Sequence, residues 1–342
     1  MKKIWQWLVL LGTVLLTVGG LQQIAHAESV GYTVNAVLPK NQDDASASYF
    51  ALRVKPNQQQ KLAIVIGNES KRSQKYEVNV NQAVTNANGV IDYSQAKPEL
   101  DSSLKVGIKD VFKETKLPIV TVPAKSTKKV YVEYKMPAQK IQGMILGGIN
   151  VKKVDTAKKS DQKGVTISNK FAYVIGVRLR ESDIDTAPNM NLLSVKTGQT
   201  NSLNQVEAKL QNPEPGMMRD LKVKTKVTKE GDSKVVLQNE KSNMAMAPNS
   251  NFSYAIPWGS TQLAAGTYTL TLDATAKGGY HWHFTKNFTV TQKEIGQLAN
   301  KYNQPQKNYF WWFVAGGILI VLLLAIIIYL LLKNRRKQDE DD

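Results

Sequence analysis

A run of 22 residues without a charged side chain, Trp311–Leu332, constrains this chain more than any other feature. An α-helix rises 1.5 Å per residue, so a helix of this length spans the ~30 Å hydrocarbon core of a bilayer. Tyr309 and Trp312 stand at one end, where aromatic rings favour the headgroup region, and lysines and arginines follow the other end. We therefore predict a transmembrane helix over 310–332 and a short cytoplasmic tail over 333–342.

The first residues have the pattern of a secretory signal peptide. Basic Lys2 and Lys3 precede the apolar run Ile4–Leu21, and Ala25-His26-Ala27 is a small-x-small cleavage site. We expect residues 1–27 to be removed; the alternative is an uncleaved N-terminal anchor. The two ends together predict a single-pass cell-membrane protein whose ectodomain faces the outside.

The exported part of the chain is strongly basic. The chain has 45 Lys+Arg and 28 Asp+Glu, a net charge of +17. The signal peptide holds two of these bases and the tail holds four bases and four acids, which leaves +15 for the ectodomain. An outward-facing charge of this sign argues against nucleic acid as the partner. It favours anionic cell-wall polymers, although lysines also keep exposed strand edges unpaired and soluble.

The chain contains no cysteine. This excludes disulfides, zinc-thiolate sites, iron–sulfur clusters and thiol nucleophiles. Secreted animal domains of this size commonly carry disulfides, so their absence favours the surface of a Gram-positive bacterium, where the wall polymers are anionic.

Alternating apolar and polar residues predict β-strands along the ectodomain. Tyr76–Asn81 alternates cleanly, and in Leu221–Val227 the apolar positions alternate with lysines. Lys61–Gly67 is more continuously apolar and suits a central strand. Because no long helical pattern separates the strands, we predict an all-β fold of two β-sandwiches. Further strands are expected at Tyr32–Leu38, Val130–Tyr134, Leu192–Val195, Val206–Leu210, Gly266–Leu272 and Trp282–Val290.

One short helix and one polar segment interrupt this pattern. Over Asp101–Glu114 the apolar residues have helical spacing, with Asp101 as the expected N-cap. The Lys-rich stretch Val151–Gly164 is either a linker between domains or a long hairpin loop. The apolar strand Phe171–Leu179 that follows could pair with either half.

Few residues suggest chemistry. His281 and His283 would share one face of a strand, as two metal ligands require, but no third ligand is visible, and Trp282 would pack inward. Asn86–Asp92 resembles a calcium loop but lacks the final glutamate, which favours an ordinary turn. No nucleophile elbow, zinc-protease or phosphate-loop motif occurs. We expect no catalytic residue, no metal site and no cofactor, and hence a binding protein rather than an enzyme.

Aromatic residues gather near the last hairpins and could form either core or a binding surface; the size of sandwich cores favours core. They are Phe252, Tyr254, Trp258, Tyr280 and Trp282.

Several short motifs occur in both halves of the ectodomain. In the first half these are Tyr32–Pro39, Tyr49–Pro56, Met136-Pro137 and Gly143–Ile149. In the second half they are Phe171–Glu181, Asn212-Pro213-Glu214-Pro215, Met246–Trp258, Gly266–Leu270 and Phe288-Thr289-Val290. Together they resemble the motifs of the WxL-interacting protein family of Gram-positive bacteria. With the signal peptide, anchor and tail, the resemblance covers essentially the whole chain.

The resemblance implies two immunoglobulin-like domains, the first binding peptidoglycan and the second binding host factors. It places them at 28–152 and 166–293, with 153–165 as linker or loop and 294–309 as a stalk. It also implies association with secreted WxL-domain proteins; the alternative is a host-matrix adhesin that acts without them. No ligand-binding residue can be carried over. Gly147-Gly148 is expected to allow a tight bend or bulge.

Overall fold

The computed structural model describes residues 31–154, 171–200, 203–259, 263–296 and 310–338. The predicted signal peptide, most of the Lys-rich segment, most of the stalk and the last four residues of the tail lie outside the described residues. The described parts of the chain form two β-sandwiches and one C-terminal helix, which confirms the predicted all-β class with two sandwich domains and a C-terminal apolar helix.

The first sandwich contains ten described strands and one helical turn. They are β1 (Tyr32–Val37), β2 (Phe50–Arg53), β3 (Gln59–Asn68), β4 (Gln74–Gln82), β5 (Val84–Thr85), β6 (Ile91–Asp92), α1 (Ile108–Val111), β7 (Val120–Val122), β8 (Thr127–Lys135), β9 (Met144–Lys153) and β10 (Ala172–Arg180). A three-stranded sheet, in the order β1-β3-β8, packs against a five-stranded sheet, in the order β2-β10-β9-β4-β7. The small hairpin β5-β6 and the helical turn α1 are added to this sandwich.

The alternation in the sequence correctly identified the core of this sandwich. Tyr76, Val78 and Val80 of β4 point inward and are almost fully buried. The continuously apolar segment Lys61–Gly67 lies within β3, which has β1 and β8 as neighbours and so is the central strand of its sheet. Leu62, Ile64 and Ile66 of this strand are buried, whereas Ala63 and Val65, on its other face, are only partly buried.

The strand whose partner the sequence left open belongs to the first sandwich. β10 pairs with β9 in antiparallel register from Ala172↔Lys152 to Arg180↔Met144, and with β2 in parallel register from Val177↔Phe50. The segment between β9 and β10 therefore connects two antiparallel neighbours. Although the range expected for the second domain begins at residue 166, the second sandwich begins with β11, at Asn191.

The prediction of a helix over Asp101–Glu114 was wrong for most of its length. Only Ile108–Val111 is helical, and Gly107 precedes it in an extended conformation. Of the apolar side chains at helical spacing, Ile108, Val111 and Phe112 are buried and Leu104 is partly buried. Asp101 does not cap a helix; its carboxylate contacts the second sandwich instead.

Gly147 and Gly148 do not form the expected bend or bulge, because β9 keeps continuous register with both neighbours at these positions. They allow close packing. A Cβ on Gly147 would lie 2.5 Å from Ile108 Cδ1 and 2.6 Å from the backbone oxygen of Asn81. A Cβ on Gly148 would lie 2.8 Å from Val174 Cγ1.

The second sandwich consists of seven described strands. They are β11 (Asn191–Thr200), β12 (Leu203–Asn212), β13 (Met218–Lys229), β14 (Val235–Met246), β15 (Ser250–Pro257), β16 (Gly266–Ala276) and β17 (Tyr280–Val290). A three-stranded sheet, in the order β11-β12-β15, packs against a four-stranded sheet, in the order β14-β13-β16-β17. The predicted alternation in β13 is confirmed, since Leu221, Val223 and Val227 are fully buried.

The C-terminal helix, α2, runs over Phe310–Gln338. Its stretch Trp312–Leu330 has a mean hydropathy of 3.0, and none of it is buried within the protein. A helix that is apolar all round and is not covered by the other described residues is compatible with a single-pass membrane anchor. At the start of the predicted stalk, residues 292–296 are helical.

Candidate functional site

Folding brings five exposed lysines together on one side of the first sandwich, although they look evenly scattered along the sequence. Two adjoining pockets, of about 1060 and 370 Å³, share Lys113 and Glu133 as lining residues. We call this surface the lysine groove. Its lysines are Lys61, Lys105, Lys109, Lys113 and Lys135.

The floor of the lysine groove is built by the contact between α1 and β8. Ile108 and Val111 of α1 are buried, which turns Lys109 outward. The rings of Phe112 and Tyr134 lie 5.9 Å apart, and Lys113 N donates to Glu133 O at 3.1 Å. The apolar side of this short segment is therefore fixed to the core while its lysines remain in solvent.

Tyr134 is a neutral, structural member of this surface. Burial raises the pKa of Tyr134 to about 12. Its hydroxyl donates to Gln60 Oε1 at 2.8 Å and accepts from Gln58 Nε2 at 3.2 Å. Tyr131, three positions earlier on β8, is different: its side chain is 52% exposed and lines the smaller pocket beside Lys61.

The lysine groove carries unpaired positive charge. Within the described ranges, none of its five lysines lies within 4 Å of a carboxylate, although Asp110, Glu114 and Glu133 line the same pockets. Asp110 Oδ2 is occupied by the backbone N–H of Gly107 at 2.7 Å. Free ammonium groups bind carboxylates and phosphates as compact point charges, so this surface can hold an anionic polymer.

The two sandwiches meet at a polar junction. Asp101 is 7% exposed, and its carboxylate accepts hydrogen bonds from Gln211 Nε2 at 2.8 Å and from Asn251 Nδ2. The hydroxyls of Thr85 and Ser250 lie 2.6 Å apart. The Asp101–Gln211 and Thr85–Ser250 hydrogen bonds are buried. Buried polar groups that are hydrogen-bonded to each other favour one arrangement, so these bonds hold the two sandwiches in a fixed relative position.

Backbone contacts add to the junction. Ala245 N donates to Gly89 O at 2.8 Å, and Met144 N donates to Pro215 O at 3.0 Å. Gly89 has a φ of 68°, and a Cβ there would lie 2.6 Å from Met244 Sδ. The segment Asn86–Asp92 therefore forms a turn over its first residues that docks on the second sandwich and leads into β6, in agreement with the predicted turn.

The two histidines of β17 lie on the solvent side of the second sandwich. His281 and His283 are exposed, and His283 Nδ1 lies 2.7 Å from Asp273 Oδ1. Within the described residues, no group of three potential metal ligands occurs. Trp282 and Phe284, on the opposite side of the strand, pack against the core as predicted.

Most of the aromatic residues near the last hairpins form core. Phe252, Tyr254 and Trp258 are at most 5% exposed. Tyr280 and Trp282 are half-buried and stacked, with ring centroids 6.0 Å apart. Trp282 Nε1 also donates to Asn189 Oδ1 at 3.0 Å, so this pair supports the sandwich rather than forming a free binding platform.

Sequence reasoning missed both the lysine groove and the junction. The only local signal for the groove was the spacing of Lys105, Lys109 and Lys113, which places lysines on one face of a helix that forms for just one turn. The junction had no signal, since Asp101 and its partners lie more than 100 residues apart.

Two family models match the chain in tandem. The WxL Interacting Protein, peptidoglycan binding domain, matches residues 32–153, and the WxL Interacting Protein, host binding domain, matches residues 162–304. No curated protein matches the chain.

Solved structures of fimbrial and related chaperones are distant matches. The chaperone DraB of E. coli is 12% identical, with a TM-score of 0.28 over 76% of this chain and 97% of that chain. The CupB2 chaperone of Pseudomonas aeruginosa is 12% identical, with a TM-score of 0.27 over 66% of this chain and 91% of that chain. A chaperone–tip adhesin complex of CFA/I fimbriae is 11% identical, with a TM-score of 0.28 over 75% of this chain and 98% of that chain.

Proposed function

Because the chain belongs to the WxL-interacting protein family, with a peptidoglycan-binding domain followed by a host-binding domain, we propose that it is a membrane-anchored scaffold at the bacterial surface. In this role it binds the cell wall through its first sandwich and holds WxL-domain proteins beside the wall. Both matched domains are named for binding, which supports a binding role at the cell surface rather than catalysis.

The observation that supports wall binding most directly is the lysine groove. It lies in the domain matched as peptidoglycan-binding, and its five lysines form no ion pair among the described residues. Two of them, Lys61 and Lys113, line the pocket that contains the exposed ring of Tyr131. The lysines would contact carboxylates or phosphates of the wall, and the exposed aromatic face would pack against a sugar ring. Contacts between exposed charges are screened by salt, so this binding should weaken as ionic strength rises.

Membrane attachment completes the proposal. The stretch Trp312–Leu330 of α2 is long and apolar enough to cross a bilayer, and Lys333, Arg335 and Arg336 follow this stretch. Basic residues next to a membrane span favour the cytoplasmic side. This orientation puts both sandwiches on the wall side of the membrane.

Pelleting with purified peptidoglycan sacculi tests the wall-binding part. The full chain in detergent micelles should pellet at low salt, and the triple substitution K109E/K113E/K135E should weaken binding by about tenfold, because each exposed charge contact contributes about 0.2–1 kcal/mol. K226E/K229E/K234E reverses the same number of charges in the second sandwich, at exposed lysines that form no ion pair among the described residues, and should bind as the wild type does. Equal loss in both variants would mean that overall charge, not the lysine groove, holds the wall.

The second candidate function is host adhesion without a WxL partner, which the host-binding domain match over 162–304 favours. Full-length protein in micelles can be tested against immobilised matrix proteins and against a purified WxL-domain protein. Binding to matrix proteins alone would favour the adhesin and overturn the scaffold.

A further inference from the structure

The first sandwich has two strand edges that no neighbouring strand covers within the described residues. β10 pairs with β9 along its whole length but with β2 only over Val177–Arg180, so one edge of residues 172–176 has no strand partner. On the facing sheet, β1 pairs with β3 alone, which leaves its other edge unpaired. Unpaired edges present alternating N–H and C=O groups that can pair with another extended chain.

A groove of about 730 Å³ runs between these two edges, and we call it the edge groove. β1 contributes Val34 and Ala36 to its wall, and β10 contributes Val174 and Gly176. Along β10 it runs from Val174 to Arg178, so it includes residues 174–176 of the edge that β2 leaves uncovered and ends beside the first residues that pair with β2.

Large apolar side chains are exposed on both strands beside the edge groove. Val37 and Leu38, at the end of β1, are each 41% exposed. Phe171 and Val174, at the start of β10, are 52% and 40% exposed. Natural proteins usually protect an edge of this kind with charges or prolines, so exposed apolar residues along an unpaired edge are typical of an interaction surface.

The Arg178 end of the groove is suited to an acidic group. Arg178 Nη2 donates to Asp43 Oδ1 at 2.9 Å, but Arg178 Nε is buried without a hydrogen-bond partner. Asp43 also pairs with Arg53 and Arg180. The buried carboxylate of Asp43 therefore forms ion pairs with three guanidinium groups. Arg53 and Arg180 each have a further aspartate partner, whereas Arg178 has none among the described residues.

We propose that an extended segment of the WxL-domain partner adds as a strand to the free edge of β10 at 172–176. Its apolar side chains would enter the edge groove, and an acidic group would lie at Arg178. An extended polypeptide fits because only a backbone offers alternating donors and acceptors at the spacing of a strand edge, which a glycan does not. The inference rests on the WxL-binding part of the proposed function.

Binding of a purified WxL-domain protein to the full chain in micelles provides the first test. Val174→Asp places a charge on the free edge and should weaken binding at least tenfold. Val235→Asp is the matched control, because Val235 is also 40% exposed and lies on β14, at the edge of the second sandwich. Sacculus pelleting should be unchanged in both variants, which separates this site from the lysine groove.

Amide hydrogen exchange provides the second test. On binding, the backbone amides of 172–176 should become protected, because strand addition forms backbone hydrogen bonds whereas contact through side chains alone does not. If the wild type does not bind the WxL-domain protein, the partner half of the proposed function fails and this inference with it. If binding persists in Val174→Asp, or leaves these amides unprotected, the inference alone is wrong. Self-association of the free chain through the same amides, seen as dimers in sedimentation, would also overturn it.

Discussion

Asp101 in the first sandwich accepts a 2.8 Å hydrogen bond from Gln211 in the second, across 110 residues of sequence. The other carboxylate oxygen accepts from Asn251, and the backbone N–H of Ser103 completes the set. A buried carboxylate whose oxygens are all bonded stabilises a single arrangement of the parts around it. The two sandwiches therefore meet through a specific contact, which holds them in a defined arrangement.

Asp101→Ala should destabilise this junction. The change leaves the side-chain amides of Gln211 and Asn251 buried without their acceptor, at a cost of about 1–3 kcal/mol in the free energy of unfolding. We expect denaturant unfolding to separate into two transitions as the coupling between the sandwiches weakens. A single transition at the wild-type midpoint would show that Asp101 does not couple the domains.

The Asp101 contact should also be sensitive to acid. Burial acts to raise the pKa of Asp101, but the hydrogen bonds from Asn251, Ser103 and Gln211 outweigh it, so the pKa lies below its usual value. A depressed pKa in the folded state gives stability that is present above pH ~4 and is lost as the pH falls through the folded pKa.

The Asp101→Asn variant has no carboxylate to titrate and serves as the control. Its deficit in unfolding free energy relative to wild type should be largest near pH 6 and should shrink as the pH falls towards 3. A deficit that stays constant over this range would contradict the predicted role of the charged form.

Asp43→Ala should destabilise the first sandwich by about 3–5 kcal/mol, because removing one partner of a buried ion pair leaves its arginines uncompensated. The side chains of Arg178 and Arg180 are only 11% and 17% exposed. Asp183→Ala is the matched control: Asp183 pairs with Arg53 but is 92% exposed, so its loss should cost no more than about 1 kcal/mol. The midpoints of thermal unfolding of the two variants provide the comparison.

Gly147→Ala should destabilise the chain by about 1–3 kcal/mol. The added methyl group would collide with Ile108 and with the backbone oxygen of Asn81, and the backbone cannot yield as a flexible side chain does. Gly176→Ala on the adjacent strand meets nothing closer than 3.5 Å and should be nearly neutral. Urea unfolding of both variants tests the difference; equal effects would show that the glycine of β9 is not needed for packing.

Ending the chain before residue 310 should remove the protein from the membrane fraction and leave it in the wall fraction or the culture medium, since α2 carries the only described stretch long and apolar enough to span a bilayer. Fractionation of cells with an antibody to the ectodomain measures this. A truncated chain that remains with the membrane fraction after salt washing would contradict the anchor.

The sequence alone determined those features that depend on local periodicity. Strands such as Tyr76–Asn81 and Leu221–Val227 are visible because side chains on a strand alternate between core and solvent, and the apolar C-terminal helix is visible because its length matches a bilayer. The composition alone excluded disulfides and thiolate sites, because the chain has no cysteine. The turn within Asn86–Asp92 was predictable from its asparagine and glycine residues.

Only the tertiary structure decided which distant segments meet. The apolar sequence of β10 did not show whether this strand pairs with the first or the second half of the chain. Its hydrogen-bonded register with β9 and β2, which only the folded chain shows, places it in the first sandwich. Leu104 to Phe112 have helical spacing, yet the segment follows the shape of the core beside Gly147 rather than its own propensity. The lysine groove, the Asp101 junction and the edge groove share this origin: each is formed by residues far apart in the chain, whose proximity depends on how the sheets pack.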